Sequence, residues 1–333
     1  MIKVVYSSLM AVDGRSDDGP GTLLELIRAG EAVTRADLAR RTGLARSTVA
    51  HRVAALLALR LVYEAGERAS TGGRPPTVLA FNAAAGAVLV ADLGATRARV
   101  ALCDLAGAPL VEEAHDIDIT DGPEAVLAWL HERFTRLLRV GGRAPSDIRG
   151  IGLGLPGPIA FGVGQPVEPP IMPGWDAFSV PQWFARRYDA PVLVDNDVNL
   201  MALGEHRHHE RGSEAMLFVK VGTGIGCGII AAGGKIYRGA QGAAGDIGHI
   251  RVSGHDDVIC RCGNVGCLEA VASGGALARA LSRGRTDGPR SSRDVLELVR
   301  AGNDAAAQAV HEAGGQLGGV LAGCVNFFNP GWS

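Results

Sequence analysis

The sequence has no apolar run approaching about 18 uninterrupted residues, and its start has no basic stretch followed by an apolar segment. We therefore expect a cytoplasmic protein with no membrane partner. A strong net charge is also missing, since the chain carries −2 at neutral pH. Binding to a polyanion would need a local basic patch.

Cysteine is scarce, with six in 333 residues, and its placement argues against a disulfide framework. Cys103, Cys227 and Cys324 stand alone in apolar surroundings, which is typical of reduced core thiols. The other three cluster in one loop. A hydrophobic content of 47% is enough for the cores of two or three domains.

That loop predicts a metal site. Cys260, Cys262 and Cys267 follow His249, and a Cys-x-Cys-x4-Cys run with an upstream His supplies four ligands for tetrahedral zinc. Four ligands leave no open position, so the zinc would be structural. The alternative is three ordinary reduced cysteines.

The N-terminal part reads as a mobile arm, residues 1–20, followed by a small helical domain, residues 21–84. Apolar spacing predicts a helix from Thr22 that stops at Gly30. Thr34 and Asp37 form a variant capping box for a second helix, and Gly43 supplies the turn to a third. The third helix carries its apolar stripe on Val49, Val53, Leu56 and Leu57.

This spacing predicts a helix-turn-helix, and the strand pair after it predicts a wing. The segment from Pro20 to Ala80 has nine arginines and five acidic residues. This local surplus of positive charge suits binding to a phosphate backbone. The predicted DNA contacts are Arg46, Ser47, Thr48, His51 and Arg52 on the third helix and Arg74 on the wing. The alternative is a three-helix module for protein contacts. Ala45 lacks the side chain that would cap the third helix, which costs about 1 kcal/mol.

The remaining chain predicts two α/β lobes, residues 85–200 and 201–333. A strand-turn-strand unit around Asp92 recurs around the glycine run that starts at Gly222. Asp197 follows a buried apolar strand, where ligands lie in α/β sheets and a carboxylate could accept the proton of a hydroxyl. Its alternative role is the N-cap of the next helix. His206, His208 and His209 predict a solvated helix end, with a second metal site as the alternative.

The block that contains Asp246, His249 and the cysteines, ending at Glu269, resembles the signature of the ROK family of bacterial sugar kinases and sugar-responsive repressors. The Gly-Gly-Arg-Pro segment around Arg74 resembles the wing of ROK repressors. The resemblance covers the chain from about Thr22. It implies a winged helix-turn-helix domain followed by an actin-like, ribonuclease H-like duplicated sugar-kinase fold.

The resemblance also implies site roles. Asp246, His249 and Glu269 would hold sugar hydroxyls, although the family usually has Glu where this chain has Asp246. Asn196 would be a further sugar ligand, Asp197 the vestigial counterpart of the catalytic base, and Gly157 a backbone approach to the sugar.

The phosphate side departs from the family. The stretch from Asp92 to Thr96 resembles the kinase motif Asp-x-Gly-Gly-Thr, with Ala95 in place of the second glycine. Remnants of phosphate loops are expected at Asp92, Gly94, Thr96, Gly222, Thr223 and Gly224. Family members also continue beyond Ser333, so we expect a truncated, incomplete C-terminal lobe. ATP and Mg²⁺ are not expected as cofactors.

The resulting hypothesis is a sugar-responsive transcriptional regulator, a repressor of carbohydrate metabolism genes. It would bind a palindromic operator as a homodimer or higher oligomer, and its effector would be a sugar or sugar phosphate. The alternative is an ATP-dependent sugar kinase of the glucokinase type. A third possibility is a partner protein as effector.

Overall fold

The computed structural model describes residues 20–67, 76–208, 215–284 and 286–331. The N-terminal arm, Arg74 with the tip of the predicted wing, and His209 lie outside these residues. The helices are α1 Pro20–Arg28, α2 Arg35–Thr42, α3 Arg46–Ala58, α4 Pro123–Val140, α5 Val180–Ala185, α6 Asp197–His208, α7 Leu268–Ala272, α8 Gly274–Leu281, α9 Ser292–Arg300 and α10 Asp304–Phe328. The strands are β1 Val62–Glu67, β2 Thr77–Phe81, β3 Ala87–Leu93, β4 Arg97–Asp104, β5 Pro109–Asp116, β6 Ile148–Leu155, β7 Ile159–Ala160, β8 Gln165–Pro166, β9 Val192–Asn196, β10 Met216–Val221, β11 Ile225–Ala231 and β12 Lys235–Ile236.

Helices α1 to α3 and the antiparallel pair β1–β2 form the N-terminal unit, in the order that the sequence predicts. The Thr34 hydroxyl caps α2 by accepting a hydrogen bond from the amide of Asp37 at 3.1 Å. Gly43 ends α2 with φ of 70°, a left-handed conformation that glycine adopts at little cost. Ala45 gives α3 no side-chain cap. These local predictions are confirmed.

The first lobe is built on a five-stranded sheet with the order β5-β4-β3-β6-β9. The pairs β3–β4 and β4–β5 are antiparallel, whereas β3, β6 and β9 are parallel. Asp92 near the end of β3 therefore pairs with Gly154, which pairs in turn with Asp195 on β9. Because parallel strands end at one edge, this register brings the polar ends of the three strands together.

The second lobe contains the antiparallel sheet β10-β11-β12 and helices α7 to α10. The hairpin between β10 and β11 repeats the strand-turn-strand unit around Asp92, as predicted. The expected incompleteness of this lobe is not tested by the fold. Among the described residues, no helix has the length and apolarity needed to cross a membrane.

Helix α6 lies where the three parts meet. It packs against β6 and β9 of the first sheet and against β10 and β11 of the second, so the predicted boundary between residues 200 and 201 falls inside it. Its residues Leu200 and Leu203 join a buried core that Leu61 and Phe81 also contact. Leu61 and Phe81 pack against the core of the N-terminal unit as well. The two cores are thus continuous.

Candidate functional site

A cleft of about 700 Å³ lies at the carboxyl edge of the first sheet, facing the β10–β11 hairpin. Several predicted site residues line it together: Asp92, Gly94, Thr96, Gly157, Asn196, Asp197, Gly222, Thr223, Gly224, Asp246, His249 and Glu269. The predicted sugar-binding residues and the predicted phosphate-loop remnants therefore line one cavity.

Asn196 ends β9 and caps α6. Its Oδ1 accepts hydrogen bonds from the amides of Val198 at 3.0 Å and Asn199 at 3.1 Å, and its Nδ2 donates to the carbonyl of Gly157 at 2.9 Å. The helix thus begins at Asp197 and its main cap is Asn196. The alternative role of Asp197 as that cap is wrong, although its Oδ1 does accept from its neighbour's amide.

Asp197 is instead held by an ion pair. Its side chain is 4% exposed, and its Oδ2 accepts a hydrogen bond from Lys220 Nζ at 2.5 Å. Lys220 is one-third exposed and lies on β10, directly before the glycine hairpin. The carboxylate that resembles a catalytic base is therefore bonded to an ammonium group from the opposite lobe.

Asp92 is the second carboxylate of this wall. A Cβ on its strand neighbour Gly154 would lie 3.4 Å from the Cα of Asp197, so only a glycine separates the two acids. Burial, reinforced by the charge of Asp197, raises the pKa of Asp92 to about 6, against the opposing charges of Lys220 and Arg99. Its Oδ1 is buried and makes no hydrogen bond within the described residues.

Asp195 joins the two lobes. It is 3% exposed, and its Oδ2 accepts from Arg238 Nη2 at 2.6 Å and Nε at 3.1 Å. Its Oδ1 accepts from the amide of Asn196 at 2.8 Å and thereby fixes the start of α6. The guanidinium of Arg238 also stacks on the ring of Phe161 at 3.8 Å. Arg238 follows β12, so this contact ties the second lobe to the cleft wall of the first.

Glu269 is anchored at the glycine hairpin. Its Oε2 accepts a hydrogen bond from the amide of Ile225 at 3.0 Å. A Cβ at Gly224 would lie 2.4 Å from the same oxygen, so a side chain there would displace the carboxylate. The hairpin therefore packs directly on the first turn of α7. One carboxylate oxygen of Glu269 is hydrogen-bonded to the hairpin.

Asp246 and His249 lie on a short 3₁₀ turn at the cleft, with Asp246 Oδ1 3.9 Å from His249 Nε2. Burial raises the pKa of Asp246, and the charge of Glu269 acts in the same direction, opposed by His249. The turn is pressed against β11, because a Cβ at Gly248 would lie 2.3 Å from the carbonyl oxygen of Ile225.

His249 and the three cysteines form the predicted cluster. Their ligand atoms all lie within 4.8 Å of one another. Nδ1 of His249 is 3.6 Å from Sγ of Cys260, and Sγ of Cys262 is 3.7 Å from Sγ of Cys267. Tetrahedral zinc, with bonds of about 2.3 Å to sulfur and 2.0–2.1 Å to nitrogen, requires about 3.6 Å and 3.8 Å for these pairs. The donor set fits a structural zinc ion.

Burial, reinforced by the neighbouring sulfur atoms of Cys262 and Cys260, raises the pKa of Cys267 to about 12. A cation bound at the cluster would stabilise the thiolate forms of these cysteines and lower that pKa. With Nδ1 on the metal, His249 would keep Nε2 for the cleft.

Five of the predicted DNA contacts lie in the N-terminal half of α3, and the sixth, Arg74, lies outside the described residues. Arg46, Ser47 and His51 are exposed there, whereas Thr48 and Arg52 are half-buried. His206 does not match its prediction of a solvated position, because it is 4% exposed in the interior end of α6. His208 is exposed, and the metal cluster found in the described residues does not include either.

The phosphate-side turn is a tight hairpin in which the amide of Gly94 donates to the carbonyl of Arg97 at 2.7 Å. Ala95 lines the cleft but also packs against the core of the first lobe. Its methyl group is thus shared between cleft and core. The replacement of the motif's second glycine by Ala95 therefore also contributes to packing in the first lobe.

Comparison with known proteins matches residues 88–332 to the ROK family model. The chain belongs to the ROK family. It is 30% identical over 322 residues to the xylose repressor of Caldicellulosiruptor bescii, covering 92% of this chain and 80% of that protein. A glucokinase of Halalkalibacterium halodurans is 32% identical over 253 residues, which cover 72% of this chain and 76% of the enzyme.

A solved ROK structure extends over the N-terminal unit. The crystal structure of a ROK family transcriptional regulator, described as a homolog of the E. coli MLC protein, covers 99% of this chain and 82% of its own. Its TM-score is 0.74 at 24% sequence identity, which shows a shared fold. The actin-like sugar-kinase fold predicted for the two lobes is confirmed by such structural neighbours.

The sequence did not single out Lys220, Asp195 or Arg238. A signal for Lys220 was present, because the chain has 30 arginines and only three lysines, one of them beside the glycine hairpin. Asp195 and Arg238 are 43 residues apart, and only the folded chain brings them together.

Proposed function

We propose that this ROK protein is a sugar-responsive transcriptional repressor. Its N-terminal unit would bind a palindromic operator, as a homodimer or higher oligomer, and the cleft would bind a sugar or sugar-phosphate effector. The observation that carries the proposal is that one chain contains two features. One is an exposed helix end with Arg46, Ser47 and His51, and the other is a polar cleft lined by the residues that resemble the ROK sugar site.

The cleft has the groups that a polyhydroxylated ligand needs. Asp197, Asp246, Glu269 and His249 offer carboxylate and imidazole atoms at one cavity, and Asn196 holds the wall in place. A neutral sugar presents hydroxyls that both donate and accept, so a rigid set of such groups suits it. The structural zinc would act by positioning His249 and the start of α7.

The N-terminal unit has the geometry that a DNA reader needs. The Gly43 turn sets α3 after α2, and the first turn of α3 points polar side chains to solvent. A recognition helix reads the major groove with residues near its N-terminus, and a basic wing reaches the adjacent minor groove. The repressor relatives favour this arrangement over a protein-binding module.

A thermal-shift screen of sugars, with and without ATP, tests the proposal. A ligand that binds only the folded protein raises its stability by RT ln(1 + [L]/Kd). We expect a sugar or sugar phosphate to raise the melting temperature without ATP, and to change the affinity for DNA selected from a random pool. A shift that occurs only with ATP would favour the kinase alternative.

Replacing Arg74 by Ala tests the wing. We expect operator affinity to fall by roughly 1–3 kcal/mol, because a well-placed arginine contact is lost while the three-helix core is untouched. Arg283→Ala, an exposed arginine in the second lobe, is the matched control and should bind DNA like the unchanged protein. Equal affinities for both variants in a gel-shift titration would show that Arg74 makes no contact with the operator.

The second candidate function is an ATP-dependent sugar kinase, favoured by the glucokinase relative and by the presence of Asp197. We expect binding of a hexose without phosphate transfer, since transfer depends on holding the nucleotide in line and Asp197 is bonded to Lys220. A coupled ADP-release assay over aldohexoses and N-acetyl sugars measures this. Turnover near about 1–100 s⁻¹, lost in Asp197→Asn, would make the protein a DNA-binding kinase.

A further inference from the structure

Lys220 brings a positive charge into the cleft at the point where two acidic side chains meet. Its Nζ lies 2.5 Å from Asp197 Oδ2, and it also counteracts the raised pKa of Asp92. Asp92 pairs with Gly154 in the sheet, and a Cβ at Gly154 would lie against Asp197, so only this glycine separates the two acids. The ammonium is therefore hydrogen-bonded to Asp197, and its charge also acts on Asp92.

Two carboxylates this close repel each other when both are charged, and a protein relieves the repulsion with a proton, a metal ion or a basic side chain. A divalent ion such as Mg²⁺ binds through one or two carboxylates together with phosphate oxygens. In this cleft the position beside the carboxylates is reached by the side chain of Lys220. The ammonium is tethered there by the chain, whereas a free ion would have to bind from solution and displace it.

We infer that the ammonium of Lys220 occupies the cation position of the cleft, where it takes the place of a divalent ion and selects a ligand that needs no metal. The inference rests on the proposed function only for the sugar character of the cleft.

The position of Lys220 in β10 supports this role. Its backbone pairs with Gly226 across the hairpin, so the side chain leaves a rigid strand two residues before Gly222. The side chain of Lys220 is one-third exposed, whereas that of Asp197 is 4% exposed, so the lysine is the more accessible partner of the ion pair.

The experiment is a titration of the zinc-loaded, full-length protein with Mn²⁺, followed by the electron paramagnetic resonance signal of free Mn²⁺. The test variants are Lys220→Met and Lys220→Gln, which remove the charge with an apolar and a polar side chain. The matched control is Lys235→Met, an exposed lysine on β12. We expect one Mn²⁺ site to appear in both test variants, with affinity at least about tenfold above that of the unchanged protein and of Lys235→Met.

Adding Asp197→Asn to Lys220→Met should abolish the gained site, because one of its two carboxylates is then neutral. Test variants that melt like the unchanged protein but gain no Mn²⁺ affinity would overturn the inference, as would a gained site that survives Asp197→Asn. Since the titration involves neither sugar nor DNA, its failure leaves the repressor proposal standing. Failure of the sugar screen or the gel shift likewise leaves the Mn²⁺ result intact.

Discussion

We expect the replacement of Cys262 by Ser to abolish zinc binding and to unfold the loop that carries the four predicted ligands. The loop between His249 and Cys267 buries few of its side chains, with Ile259 77% exposed, so it has little core of its own. Structural zinc supplies about 10–16 kcal/mol of apparent binding free energy in small zinc domains, and that energy is also folding energy. A serine oxygen is a much poorer ligand than a thiolate.

The expected readouts are a fall from one equivalent of zinc per chain to a small fraction, rapid proteolysis within the loop, and loss of the thermal shift with sugar. The sugar effect follows because His249 and Glu269 flank the loop on the cleft side. Cys324→Ser is the control, since this half-buried thiol packs in the core of the second lobe, outside the metal cluster. Elemental analysis that finds less than about half an equivalent of zinc in the unchanged protein, purified without chelator, would count against the site.

Replacing Arg238 by Ala will give the second large effect. It removes both donors to Asp195 Oδ2 and leaves a carboxylate that is 3% exposed without its charge partner. Breaking a buried ion pair from one side costs about 3–5 kcal/mol, and the partial exposure of Arg238 places the expected loss at the lower end, about 3 kcal/mol. The stack on Phe161 is lost as well.

The measurement is thermal unfolding, where each kcal/mol corresponds to roughly 2–4 °C for a domain of 150–250 residues. Arg251→Ala is the matched control, because Arg251 pairs with Asp256 at 2.6 Å on the surface, with both side chains more than half exposed. That pair should contribute little to stability, because solvent screens it. Arg238→Lys should fall between the two, since it keeps the charge and loses the fork. Equal losses for Arg238→Ala and Arg251→Ala would show that the interlobe pair has no special role.

The local parts of the fold were predictable because their causes are local. The Thr34 cap, the Gly43 turn and the uncapped α3 depend on residues within a few positions of one another. The same holds for the hairpins around Gly94 and Gly222, where glycine marks the turn and apolar runs mark the strands. The start of α6 differs by only one residue from the start that Asp197 as N-cap would give. Asn196 and Asp197 are both good capping residues, and only the fold decides between them.

The chemistry of the site was predictable where it depended on residue type and not where it depended on distance. The four predicted metal ligands stand out by spacing, and the structure brings them together. The partner of Asp197 does not stand out, since Lys220 is 23 residues away on a strand of the other lobe. The buried position of His206 was missed for a similar reason, because burial is decided by the packing of the whole helix against both sheets.

The shared core at Leu61 and Phe81 bears on how the protein unfolds. Helix α6 is about 18 Å long, with the cleft at one end and the side chains of this core along its flank. The N-terminal unit covers part of this apolar core, which also contains Val88 and Val90. Its removal would therefore expose part of the core to solvent. Melting should therefore be one cooperative transition and not two, and a fragment that starts at residue 85 should aggregate where the longer chain stays dispersed.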